Sequence, residues 1–117
     1  MYSVRYSKDI DLLDIVWSGL FSPSDIDAYE AACFACWKNE RFSDGFLLRI
    51  TLDDGSPLPQ QTLALLLKTF AGFPIAARTA MVTRGALSRL QIKRALMRPN
   101  LEIFEEAEKA LTWLRGE

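Results

Sequence analysis

The residue types best suited to chemistry stand together at Asp53-Asp54-Gly55-Ser56, wedged before Pro57. Adjacent carboxylates at the carboxyl end of a strand can hold a magnesium ion or a nucleotide. The same residues also suit a plain turn, since Asp-Gly favours one and acids near a helix start are stabilised by its dipole. A turn is the preferred assignment. Its place still marks it, because the loops leaving the carboxyl ends of strands are where open α/β sheets bind ligands.

Three other constellations invite chemistry. Cys33-Phe34-Ala35-Cys36 has the spacing of a redox or zinc pair. Zinc needs four ligands, and the chain has no histidine and no third cysteine. A redox pair belongs at a helix N-terminus, where the dipole lowers the thiol pKa; these two fall well inside a helix, on its apolar stripe, which favours core packing. Arg84, Arg89, Lys93, Arg94 and Arg98 make two adjacent cationic rows on a helix. They would receive phosphate or an acidic protein, or else pair with Glu105, Glu106 and Glu108 on the last helix. Asp14, Arg49 and Arg78 fall on one face of three strands and would mark a dimer surface or ligand contact if removed from water.

The absence of histidine narrows the function classes. It removes Ser-His-Asp and Cys-His mechanisms, and with them the commonest metal ligand. No catalytic residue, cofactor or metal site is assigned. An enzyme built on Asp53 or Asp54 would need a basic residue converging on them.

With 117 residues, half of them hydrophobic and a quarter charged, the chain suits one folded domain spanning 1–117. No apolar run approaches a membrane span, and Leu63 to Leu67 is only five residues. The first residues lack the pattern of a secretory signal, and two cysteines without a disulfide framework suit a reducing compartment; the expectation is a cytoplasmic protein with no transmembrane segment. Net charge is −1, yet residues 55–101 hold seven cations and no acid. Such a block can attract an anionic partner. Nucleic acid is not expected, because the chain is acidic overall and no aromatics interleave the cations.

The elements that must position these residues follow from periodicity. Tyr2, Val4 and Tyr6 alternate with polar residues, and Leu12 to Ser18 is rich in β-branched and aromatic types; the short polar turn between them predicts an antiparallel hairpin. Ser22-Pro23-Ser24-Asp25 is a helix start, with Ser22 as cap, Pro23 at the first position and Asp25 completing a capping box. Ile26, Tyr29, Cys33, Cys36 and Trp37 form its apolar stripe, which ends near Arg41. Phe46 to Leu52 alternates as a strand. A second helix begins near Pro59, buries Leu63, Leu66, Leu67 and Phe70, and ends at Gly72. A strand over Ile75–Thr83, a basic helix over Gly85–Met97, a short strand over Leu101–Phe104 and a final helix over Glu105–Arg115 complete the order β-β-α-β-α-β-α-β-α. This is an α/β fold with a single mixed sheet, antiparallel at the N-terminal hairpin and parallel thereafter. Because Arg5, Asp14, Arg49 and Arg78 occupy the second face of their strands, all four helices are expected on the other face, leaving one side open to a homodimer contact.

That order, with Ile15-Val16-Trp17-Ser18-Gly19 before Ser22-Pro23-Ser24-Asp25 and Leu101-Glu102-Ile103-Phe104 before Glu106-Ala107-Glu108-Lys109-Ala110-Leu111-Thr112-Trp113-Leu114, resembles the STAS domain (sulfate transporter and anti-sigma factor antagonist). It is most similar to small stand-alone bacterial members of the anti-sigma factor antagonist type. The resemblance implies a cytoplasmic, non-enzymatic module that binds proteins, nucleotides or lipids. It also implies a serine, phosphorylated by a partner kinase, at the loop-to-helix junction after the central strand. There the family has Asp-Ser-Ser-Gly and this chain has Asp53-Asp54-Gly55-Ser56-Pro57, so Ser56 matches in position. The first functional expectation is therefore a regulatory module binding a partner protein. The second is a small-ligand or lipid-binding protein with a pocket between sheet and helices.

Overall fold

A computed structural model describes residues 2–18, 23–53, 64 and 72–116. Its five strands are β1 (Tyr2–Ser7), β2 (Leu12–Trp17), β3 (Leu47–Leu52), β4 (Arg78–Val82) and β5 (Leu101–Phe104). They form one mixed sheet in the order β1-β2-β3-β4-β5, with β1 antiparallel to β2 and every later pairing parallel. Three helices are described: α1 (Pro23–Glu40), α2 (Ala86–Ala95) and α3 (Ala107–Leu114). The predicted cap Ser22 and the predicted helix over 59–72, apart from Ala64 and Gly72, lie outside the described residues.

Local chemistry sets the boundaries. Asp11 takes the left-handed conformation at φ 52° to close the β1–β2 turn, a state that Asp tolerates better than most residues. Arg41, at φ 58°, ends α1 with its amide on the Trp37 carbonyl. Asn100, at φ 68°, turns the chain into β5. The fourth strand starts at Arg78 and not at Ile75, which is exposed ahead of it.

Side chains alternate across the pleat, so the sheet has two distinct faces. Leu13, Ile15, Trp17, Leu52, Met81 and Leu101 face α1 and α2, where Ile26, Tyr29, Cys33 and Ile92 complete the main core. On the other face Leu12, Ala80 and Val82 pack against Ala110 and Leu114 of α3. The helices therefore cover both faces, correcting the one-sided layering expected from the strand charges. The supposedly open face is occupied by α3, and the premise for a homodimer contact through it is lost.

The physical reason lies in how the charges are satisfied. Register places Asp14 opposite Arg49. Arg49 reaches it with two guanidinium nitrogens, Nη2 at 2.7 Å and Nε at 3.0 Å, and donates from Nη1 to the Ala107 carbonyl at 3.1 Å. Arg78 donates from Nη1 to the Trp113 carbonyl at 2.7 Å while its guanidinium lies 5.4 Å from the centre of the Trp113 ring. Arginine stems bury readily when the head finds partners. These arginines clasp α3 at its two ends.

Removing Asp14 would leave the Arg49 charge half-buried beneath a helix. Asp14→Ala is expected to cost about 2 kcal/mol in urea unfolding, whereas the apolar pair Asp14→Leu with Arg49→Met should recover most of that loss.

Candidate functional site

The carboxyl ends of β3, β4 and the β5–α3 junction enclose a cleft of about 730 Å³, lined by Asp53, Thr83, Arg84, Gly85, Glu105 and Glu106 among others. Parallel strands bring these residues together from distant parts of the chain. Asp53 follows the last residue of β3 and donates its amide to the Trp17 carbonyl. Arg84 follows β4, and its Nε lies 3.4 Å from the Glu105 carbonyl. Glu108 is a further lining residue, so the lining holds four carboxylate residues and one arginine.

The wall beneath Arg84 is fixed by two hydroxyls. Gly85 donates its amide to Thr83 Oγ1 at 3.2 Å, Thr83 and Ser88 hydroxyls meet at 2.6 Å, and Ser88 donates back to the Gly85 carbonyl at 3.1 Å. With Thr83 donating to Ser88, every group in this ring is used. Both side chains are buried, and an unmet hydroxyl there would be costly. Their hydrogens are committed to holding the start of α2.

Of the four predicted loop residues, Asp53 lies on the cleft; Asp54, Gly55 and Ser56 lie outside the described residues. Of the five predicted cations, Arg84 joins the cleft, while Lys93, Arg94 and Arg98 are exposed along and just beyond α2. Arg89 is half-buried, with Nε shielded and no acceptor among the described residues. The expected pairing of this helix with Glu105, Glu106 and Glu108 does not occur, because α3 packs on the opposite face. Among the described residues the ion pairs are Arg49–Asp14 and Lys109–Glu106. Nor do Asp14, Arg49 and Arg78 form a ligand cluster; they anchor α3.

Cys33 and Cys36 are free and sit in the body of α1, Cys33 fully buried. Burial pushes the Cys33 thiol up to about 12, with Cys36 adding to the rise. Cys36 is raised by burial and by Glu40. Neither carries the lowered pKa of a nucleophile. Among the described residues no three potential metal-ligating side chains converge.

A second cavity, of about 380 Å³, lies on the main-core side of the sheet. Its walls include Leu48, Ile50, Phe73 and Met81, and Thr79 and Arg98 supply polarity. Arg98 Nη2 donates to Thr79 Oγ1 at 3.2 Å. Leu48 and Ile50 are half-buried in the middle of the sheet, whereas their neighbours Leu13, Ile15 and Met81 are shut from solvent. The sequence hinted at this only through a lone threonine among the apolar residues of β4; the Arg98 contact had no signal.

No protein-family model matches the chain, and no curated protein matches it.

Four raised acids, Tyr6, Tyr29, Cys33 and Cys36, make a pH prediction. Burial lifts Cys33 from 9.0 to about 12. Tyr6 rises to about 12 through burial and its hydrogen bond to Asp11, and Tyr29 rises well above 10.0, chiefly through burial. Each group's stabilising effect is complete below its unfolded pKa and is lost as pH climbs through the folded value. Alkaline loss of stability should therefore begin near pH 9 with the thiols. Cys33→Ala with Cys36→Ala should delay that onset toward pH 10, where the tyrosines' window opens, as followed by tryptophan fluorescence.

Proposed function

We propose that this chain is a non-catalytic, cytoplasmic interaction module of STAS type, similar to anti-sigma factor antagonists, and that it binds a partner protein at the cleft beyond β3 and β4. One observation carries this: Asp53 and Arg84, on separate stretches of chain, line the same cleft. A lining with four carboxylate residues and one arginine favours a cationic segment of the partner, steered by the local field. The Thr83 and Ser88 hydroxyls are occupied with each other, and both thiols are raised, so none of these four groups is poised as a nucleophile. Two free thiols also suit the reducing cytoplasm. Ser56 stands three positions after Asp53 in sequence. A phosphate on Ser56 would add negative charge and alter partner affinity.

Tagged protein should retain a partner that Asp53→Lys with Glu106→Lys releases, while Ser3→Lys on the β1 edge retains it. Retention indifferent to the cleft charges, or turnover of a small molecule, would count against the proposal.

A second function is supported by the apolar cavity beneath Leu48 and Ile50. Its size and apolar lining with few polar groups suit a small amphiphile. Protein purified under native conditions and analysed by mass spectrometry should then carry one reproducible small molecule. Thr79→Val with Arg98→Ala should lower its occupancy, and an empty protein that takes up no fluorescent fatty acid would rule this function out.

A further inference from the structure

The large apolar side chains exposed among the described residues are Ile75 (74%), Leu87 (67%), Met97 (47%) and Leu90 (43%). Singly exposed apolar residues need no explanation, but three of these lie on or just past α2. Leu87, Leu90 and Arg94 recur at spacings of three and four, which places them on one side of α2, and the exposed Met97 follows just past its Leu96 cap. The buried Ser88 and Ile92 fall on the opposite side. Lys93 and Arg94 are exposed among the apolar tips, with Arg98 just past the end of the helix. No acid occurs from 55 to 101, and none of Lys93, Arg94 and Arg98 has an ion-pair partner among the described residues.

We propose that this outer face of α2 docks peripherally on an anionic lipid surface. The occupant must be anionic, because the face carries uncompensated positive charge. It must also accept apolar tips without offering them a pocket from this side. Leu87, Leu90 and Met97 line neither the cleft nor the cavity, so the face is a ridge and not a groove. A bilayer suits a ridge: apolar tips enter the boundary between headgroups and acyl chains, and the flanking cations reach the phosphates. No described helix is long and apolar enough to cross a membrane, so the contact is a surface one.

Ile75 lines the apolar cavity together with Leu96 and Arg98, which continue from the end of α2. Docking through α2 therefore brings the cavity rim toward the lipid, while α3 covers the opposite face of the sheet. The inference is independent of the proposed protein partner, since it uses a different surface and an opposite charge.

Flotation of the whole chain with vesicles of phosphatidylcholine, with and without phosphatidylglycerol, tests it. Binding is expected only with phosphatidylglycerol and should weaken as salt rises. Lys93→Ala with Arg94→Ala should reduce partitioning roughly thirtyfold, the effect of two cations near an anionic surface. Leu87→Asn with Leu90→Asn should also reduce it; these are solvent-exposed positions, and an unchanged melting temperature would certify the fold. Equal partitioning of wild type and variants, binding to neutral vesicles alone, or no binding at low salt would overturn the proposal. So would capture by soluble polyglutamate, through the same residues, without vesicle binding.

Discussion

Arg49 stands in the middle of the sheet with its charge turned toward a helix, and the second layer of the fold depends on how that charge is met. Asp14 on the neighbouring strand holds two of its nitrogens, and the first residue of α3 holds the third. Hydrogen bonding to Asp14 raises the Arg49 pKa, against the opposing effect of burial. The guanidinium thus stays charged where an unpaired cation would be expensive. Arg78 repeats the device at the far end of α3, using the Trp113 carbonyl and ring. Ala80, between these arginines in the lattice of the sheet, is small enough to let Ala110 and Leu114 settle close to the strands.

The element order and pairing were legible because each strand has its own alternation and each described helix its own stripe. Tyr2 and Val4 face the core as their spacing requires, and Ile26, Tyr29 and Cys33 form the buried side of α1. The layering was not legible. A charged residue on a strand face signals exposure only when nothing nearby can accept its hydrogen bonds, and backbone carbonyls at helix ends leave no trace in a sequence. Asp14 and Arg49 had the pattern of a site and proved to be a joint.

The candidate site was legible by position more than by chemistry. Asp53 was found because strand ends in parallel sheets collect loops, and Arg84 because it belongs to a cationic block. Glu105 and Glu106 were read as partners for that block; the rotation of α3 to the other face sends them to the rim of the cleft instead. The ring of Thr83, Ser88 and Gly85 escaped notice because hydroxyls satisfied by one another look, in sequence, like any surface hydroxyls. What remains distinctive is polarity by region. Carboxylates gather beyond the strand ends, and cations interleaved with leucines run down the outside of α2.

The clasping of α3 also bears on how the protein is made. Residues 107–114 leave the ribosome after all five strands they help to enclose. Until then, a nascent sheet would present Leu12, Ala80, Val82 and Phe104 beside two arginines lacking their carbonyl acceptors. Synthesis of α3 supplies the missing cover and both acceptors in a single segment of eight residues. Up to that moment the growing chain would present this sheet face uncovered, and the element that covers it is the last to be synthesised among those described.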